Sequence, residues 1–151
     1  MSKIKIFLGG YVNISNAQNL NCLALAEHFN KKLFDVYTLK LYSGTLDIKN
    51  LEGVHTFTCL YPHKISKYIG YLWGIYNCNV AYLPKREIYT WNYFWIKLLK
   101  KKSFCTVEGI LDELGMSNAI NLHGSQKNVI SSYTQHNKLY SITSFLRNYN
   151  H

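Results

Sequence analysis

Residues 3–20 read KIKIFLGGYVNISNAQNL, and this stretch decides the fold. Its first part, Lys3 to Leu8, is a short β-rich apolar run, which predicts a buried strand that stops at Gly9-Gly10. Ser15 and Asn16 are good helix N-caps, and the apolar residues between Ala17 and Phe29 follow helical spacing. A strand, a glycine turn and a helix in this order predict the first unit of an α/β fold.

The rest of the chain continues this alternation of strands and helices. Further strands are predicted at Leu33–Leu41, Val54–Leu60, Asn79–Leu83, Ser103–Val107 and Leu139–Thr143. Helices are predicted after Pro62, after Pro84, around Leu111, around Val129 and from Phe145. Because such alternation implies right-handed crossovers, we predict a single α/β domain over residues 1–151. Its expected architecture is a Rossmann-like three-layer sandwich with a mainly parallel sheet of about six strands.

Two of the predicted helices carry an apolar stripe, which is typical of a helix that packs on a core. The stripe of the helix after Pro62 consists of Ile65, Ile69, Leu72, Trp73 and Tyr76. That of the helix after Pro84 consists of Trp91, Phe94, Trp95, Leu98 and Leu99. The second helix ends in Lys100-Lys101-Lys102, so a membrane-surface contact is the alternative to core packing there.

Composition and charge exclude several classes of protein. No apolar run approaches the ~18–20 residues of a membrane span, and the first residues resemble a strand rather than a signal peptide. The cysteines, Cys22, Cys59, Cys78 and Cys105, form no Cys-x-x-Cys pair and lie in apolar segments, which predicts buried free thiols in the cytoplasm. The spacing of the His, Cys, Asp and Glu residues does not match a metal site. The sequence has no G-x-S-x-G motif, so it gives no support to a hydrolase with a serine nucleophile. The net charge is +9, but the cations are scattered and no motif favours nucleic acid.

The candidate site lies where the predicted parallel strands end, since ligands bind at that edge of an open sheet. Gly9 and Gly10 come just before a helix N-terminus, an arrangement that favours binding of a phosphate. The alternative is a tight turn that binds no ligand. Lys85-Arg86 follow the fourth strand and suit pyrophosphate or a charged acceptor, unless they form a solvated loop. Glu108 follows the fifth strand, where partial desolvation suits it to proton or hydroxyl handling; helix capping is the alternative.

Segments at the same positions resemble the amino-terminal domain of family-four GT-B glycosyltransferases, over nearly the whole chain. Lys5–Gly10 and Asn16–Leu20 are similar to that family's glycine loop and first helix, and Asn79–Pro84 is similar to its fourth strand. Lys102–Gly109 is similar to the strand that usually ends in Thr-x-His-Gly. Lys138–Leu146 is similar to the apolar strand that ends in Ser before the domain's last helix.

The resemblance implies an enzyme of two Rossmann-like domains that face a cleft. The amino-terminal domain mainly binds the acceptor, and its glycine loop approaches the donor phosphates. The second domain, which binds most of the sugar nucleotide and usually needs no metal, is not among these 151 residues. We therefore expect the chain to be inactive until a donor-binding domain completes it in cis or in trans, with a sugar nucleotide as donor substrate and no other cofactor.

The resemblance also implies roles for single residues. Glu108 stands where the family often has a His near the reacting sugar, and is expected to bond a sugar hydroxyl or orient the acceptor. His123 is a rival alignment, but it lies too close to the sixth strand. Substrate and donor-phosphate contacts are expected from Gly9, Gly10, Asn13, Ser15, Asn16, Lys85, Arg86 and Ser144.

The function expected from the sequence is thus half of a sugar-nucleotide-dependent glycosyltransferase that acts on a saccharide or lipid-linked acceptor. The alternative is a non-catalytic Rossmann-like nucleotide-binding or interaction module. The expected location is the cytoplasm, with weak contact at the inner face of the membrane left open.

Overall fold

The computed structural model describes residues 2–48, 51–84, 90–107 and 138–141. The strands are β1 (Ile4–Tyr11), β2 (Phe34–Leu41), β3 (Val54–Cys59), β4 (Val80–Tyr82), β5 (Lys102–Val107) and β6 (Lys138–Ser141). The helices are α1 (Ala17–His28), α2 (His63–Asn77) and α3 (Thr90–Leu98). The helices predicted around Leu111, around Val129 and from Phe145 lie outside the described residues.

The strands form one six-stranded sheet in the order β3-β2-β1-β4-β5-β6, and every neighbouring pair is parallel. This confirms the predicted α/β class, and the order is that of the classic Rossmann fold. The chain builds outward from β1 to β3 and then returns to place β4 on the other side of β1. The topological switch point therefore lies between β1 and β4.

Two apolar layers hold the helices on opposite faces of this sheet, because consecutive side chains of a strand point to opposite faces. Ile6 and Leu8 pack with Cys22 and Ala26 of α1, whereas Phe7 packs on the other face. The Phe7 cluster includes Tyr71 and Ile75 of α2 and Ile96 of α3. The protein is thus a three-layer sandwich with α1 on one side and α2 and α3 on the other.

The sequence predicts that strand β1 stops at Gly9-Gly10, but the strand runs on to Tyr11. Leu8 pairs with Thr38 and Tyr11 with Leu39, so Gly9 and Gly10 are two extra residues between consecutive partners on β2. Such a bulge bends the strand while keeping it in the sheet. The glycine segment is therefore the end of a strand and not a free turn.

Helix α2 buries a different face from the one that the sequence predicts. Its buried residues are Gly70, Tyr71, Gly74 and Ile75, whereas Ile65, Ile69 and Tyr76 of the predicted stripe are exposed. A Cβ on Gly74 would lie 2.2 Å from ring atoms of Phe7, so only glycine lets the helix approach β1 this closely. Close approach at the glycines, rather than the larger apolar side chains, determines which face is buried.

Helix α3 departs from its predicted core stripe in the same way. Asn92 and Ile96 are buried among the α3 side chains that the structure describes, and Trp95 and Leu99 pack partly against the core. The rest of the predicted stripe, Trp91, Phe94 and Leu98, is exposed.

Candidate functional site

The carboxyl ends of β1 and β4 meet at the switch point, where open α/β sheets bind their ligands. Strands β1, β4 and β5 are parallel neighbours, so their carboxyl ends lie along one edge of the sheet. This places the segment from Gly9 to Asn16 at the edge that the sequence predicts. Four of the predicted contact residues, Lys85, Arg86, Glu108 and Ser144, and the rival His123 lie outside the described residues.

Gly9 sits where β1, α2 and the end of β4 come closest together. The Tyr71 hydroxyl donates a hydrogen bond of 2.5 Å to the carbonyl oxygen of Gly9. A Cβ on Gly9 would lie 2.8 Å from Cδ2 of Leu83 and 3.2 Å from the carbonyl oxygen of Tyr82. The packing of the protein itself therefore favours a residue without a side chain at this position.

Gly10 makes an equivalent close approach to the opposite helix, α1. A Cβ at this position would lie 2.7 Å from Sγ of Cys22 and 3.0 Å from Oδ1 of Asn19. The same Asn19 oxygen accepts a 2.9 Å hydrogen bond from the backbone N–H of Tyr11. Packing against α1 thus accounts for glycine at position 10. Contact of Gly9 or Gly10 with a phosphate stays a prediction.

Asn13 joins the end of β1 to the end of β2 through a pair of hydrogen bonds. Its Nδ2 donates to the carbonyl oxygen of Leu41 at 2.7 Å, and its Oδ1 accepts from the Leu41 N–H at 2.9 Å. Its own carbonyl accepts from the N–H groups of Thr45 and Leu46 at 3.0 and 3.1 Å. The predicted substrate residue Asn13 therefore organises the loop after β2.

The N-terminus of α1 lies at the same edge of the sheet. Oδ1 of Asn16 accepts a 3.0 Å hydrogen bond from the N–H of Asn19, which confirms Asn16 as the helix N-cap. Ser15 is exposed just before it. The first turn of α1 contains no acidic residue, so the positive end of the helix dipole is not offset by a carboxylate there.

An open groove of about 410 Å³ borders this edge and is lined by Asn13, three residues after Gly10. It lies on the α1 side of β2 and β3, where Lys40 and Thr58 are register partners and Thr56 is on the same strand face as Thr58. Apolar side chains complete its wall: Leu46, Ile48, Leu51 and Val54. We call it the Lys40 groove.

Among the described residues that line this groove, Lys40 is the one cation, and it is half-buried. Within the described part of the chain, no hydrogen bond or ion pair involves its ammonium group, and the hydroxyls of Thr56 and Thr58 are equally unpaired. A cation flanked by hydroxyls and apolar walls suits an anionic group on a larger, partly apolar molecule. These residues were not predicted from the sequence, although the polar alternation Thr56-x-Thr58 in a strand is a visible signal of an uncovered sheet face.

The four cysteines are free and buried, as predicted. Desolvation raises the pKa of the Cys78 thiol to about 11, although the charge of Lys101 opposes the shift. Desolvation also raises the pKa of Cys105 to about 12 and shifts that of Cys59 upward. Thiols that resist ionisation in this way are poor nucleophiles and poor metal ligands.

Comparison with known proteins adds no assignment to this geometry. No family model, no curated protein and no solved structure matches the chain. Among the described residues, no group of His, Cys, Asp and Glu side chains is arranged to hold a metal ion. None of the helices described is long and apolar enough to cross a membrane. The fold and site define a Rossmann-like α/β domain with an open groove at its carboxyl edge.

Proposed function

We propose that the chain is the acceptor-side, amino-terminal domain of a sugar-nucleotide-dependent glycosyltransferase. It transfers a sugar to a saccharide or lipid-linked acceptor only when a donor-binding domain completes it in cis or in trans. The sugar nucleotide is the donor substrate, and no other cofactor is required. The free, buried thiols suit a cytoplasmic protein, since disulfides are rare in that compartment.

The observation that carries this proposal is that Asn13, three residues after Gly10, lines the Lys40 groove. The glycine segment lies at the switch point beside the N-terminus of α1, which favours the phosphates of a donor. The groove beside it presents Lys40, Thr56 and Thr58 to a second molecule. One edge of the sheet thus offers neighbouring positions for a donor phosphate and an anionic acceptor.

Within this proposal, Glu108 is the catalytic residue, because it directly follows β5 in the chain. It bonds a sugar hydroxyl or orients the acceptor. Lys85, Arg86 and Ser144 supply further substrate contacts by the same reasoning from strand ends. The conservative variant Glu108→Gln in the completed enzyme is expected to retain acceptor binding and lose most of the transfer rate.

Calorimetric titration of the 151-residue chain with sugar nucleotides and with neutral and phosphorylated glycans tests the proposal. We expect binding of a phosphorylated glycan or glycolipid that weakens about tenfold in Lys40→Gln, because a charge-assisted hydrogen bond is lost. Lys32→Gln, an exposed cation outside the groove, is the matched control. Binding that is identical in Lys40→Gln and wild type contradicts the groove assignment, and full transfer by this chain alone contradicts the half-enzyme.

A non-catalytic Rossmann-like binding module is the second candidate function. The observation that favours it is the filling of the space beside Gly9 and Gly10 by Leu83 and Cys22, which explains both glycines without a phosphate. The two candidates differ when the chain is joined to a donor-binding domain. The transferase half then gains transfer activity, whereas the binding module gains none.

A further inference from the structure

The solvent side of α2 carries large apolar side chains. Ile65, Ile69 and Tyr76 lie opposite the buried Gly70 and Gly74, and 53–66% of each of these three residues is exposed. A helix on the surface of a globular protein normally carries polar residues on that side. The structure therefore leaves an apolar stripe of three helical turns without a partner among the described residues.

Helix α3 continues this surface on the same side of the sheet. Trp91, Phe94 and Leu98 are 50–56% exposed, while Ile96 on the other side of the helix is buried. The rings of Trp91 and Phe94 stack on each other with centroids 5.9 Å apart. We call the exposed apolar residues of the two helices the outer face: Ile65, Ile69, Tyr76, Trp91, Phe94 and Leu98.

Only cations accompany this outer face on its own helices. Lys64 and Lys67 belong to α2, Lys97 belongs to α3, and Lys100 follows α3. Lys101 is turned inward, since its ammonium donates a 2.6 Å hydrogen bond to the carbonyl oxygen of Cys78. Neither helix contains an Asp or Glu, and Glu87 is the only acidic residue between Gly53 and Val107. The Lys97 ammonium lies 5.0 Å from the centre of the ring of Tyr93, a half-buried residue that packs against the core.

This combination of side chains distinguishes between the surfaces that could cover the outer face. Protein interfaces are depleted in lysine, whereas helices that lie in a membrane interface combine Trp, Phe, Leu and Ile with lysines. Lysines near an anionic bilayer are attracted by its negative surface potential. A face with aromatic and aliphatic residues, several lysines and no acid is complementary to that surface.

We propose that the outer face binds the surface of an anionic phospholipid bilayer. Ile69, Trp91 and Phe94 enter the headgroup region, and Lys64 and Lys97 lie against lipid phosphates. The helices lie on the membrane and do not cross it. This inference does not depend on the proposed function, because the outer face lies on the solvent side of α2 and α3, whereas the Lys40 groove lies on the α1 side of the sheet.

Vesicle co-sedimentation of the full chain tests the inference. We expect binding to vesicles that contain phosphatidylglycerol, little binding to phosphatidylcholine alone, and release by salt, because surface electrostatics are screened. The double variants Ile69→Ser/Phe94→Ser and Lys64→Gln/Lys97→Gln should each weaken binding about tenfold or more. Leu20→Ser, a similar change at a 43% exposed position on α1, is the matched control and should bind as wild type does.

Several outcomes overturn the inference. One is the absence of binding to anionic vesicles by the folded wild-type chain, with folding checked by circular dichroism. Another is an equal loss in Leu20→Ser and Ile69→Ser/Phe94→Ser. A third is concentration-dependent self-association that Ile69→Ser/Phe94→Ser abolishes in the absence of lipid, which would make the outer face an interface between copies of the chain. None of these measurements involves a sugar nucleotide, so they succeed or fail separately from the glycosyltransferase proposal.

Discussion

The hydroxyl of Tyr71 on α2 donates a 2.5 Å hydrogen bond to the carbonyl oxygen of Gly9 on β1. The two residues are 62 positions apart in the chain, and the bond joins the second helix to the bulged end of the first strand. Phe7 also contacts the Tyr71 ring edge-on, with centroids 5.7 Å apart. Tyr71 thus holds the glycine segment in place from the α2 side.

Tyr71→Phe is expected to destabilise the protein by about 1–2 kcal/mol, because the buried Gly9 carbonyl loses its donor while the ring packing is kept. Urea unfolding followed by circular dichroism measures the change. Tyr76→Phe removes a hydroxyl from a largely exposed ring on the same helix and should leave stability unchanged. Equal stability of Tyr71→Phe and wild type would show that this hydrogen bond contributes nothing.

Gly10→Ala should destabilise the protein by about 1–3 kcal/mol, because its methyl group would overlap Sγ of Cys22 on α1. The double variant Gly10→Ala/Cys22→Ala removes the overlapping sulfur and should be less destabilised than the sum of the two single changes. Thermal unfolding of all three variants provides the comparison. Strict additivity would show that the overlap with Cys22 is not the cause.

Asn13→Ala is expected to cost about 1–3 kcal/mol, because the N–H and the carbonyl of Leu41 lose their partners in a part-buried position. The loop after β2 should also open, since the Asn13 side chain packs against Gly44. Hydrogen exchange at Leu41, Thr45 and Leu46 measures the opening. Asn16→Ala removes only a helix cap, so it should accelerate exchange in α1 and leave this loop protected.

The buried thiols predict loss of stability at alkaline pH. The pKa of these two thiols is higher in the folded protein than the value of 9.0 for the unfolded chain. Below pH 9.0 the thiol is protonated in both states, so its full contribution to the free energy of unfolding is present. Above that pH the unfolded chain releases the proton first, so stability falls as pH rises from about 9 towards 11 for Cys78 and 12 for Cys105.

Denaturant titrations at several pH values between about 8 and 11 check this dependence. Replacing Cys78 and Cys105 by Ala should flatten the decline relative to wild type. A decline of the same slope in the double variant would assign the alkaline effect to other groups. At neutral pH the native thiols should react with a thiol reagent far more slowly than those of the unfolded chain.

Local patterns were sufficient to predict much of this protein. The alternation of short apolar runs with helically spaced segments predicts a mainly parallel sheet, because a helix between two strands carries the chain back to start the next strand in the same direction. The same reasoning predicts the N-cap at Asn16 and the buried state of all four cysteines. These features depend on neighbours in the chain or on hydrophobicity alone.

The Lys40 groove could not be predicted in this way. It exists because α1 covers β1 and the near side of β2, while the loop after β2 leaves the Thr56 and Thr58 face of β3 open. Lys40 and Thr58 are 18 positions apart in the chain and become neighbours only through strand pairing. Such a site depends on which surfaces the helices leave uncovered.

The amino-acid sequence by itself determined the class of fold and the position of the glycine segment, since periodicity and turn residues act locally. The tertiary structure alone decided which side of α2 is buried, because α2 is apolar on two sides and hydrophobicity favours neither. The contact of Gly74 with Phe7 settles the choice: a helix approaches a sheet most closely where it has no side chain. Ile65, Ile69 and Tyr76 are left outside, where they form the α2 part of the outer face.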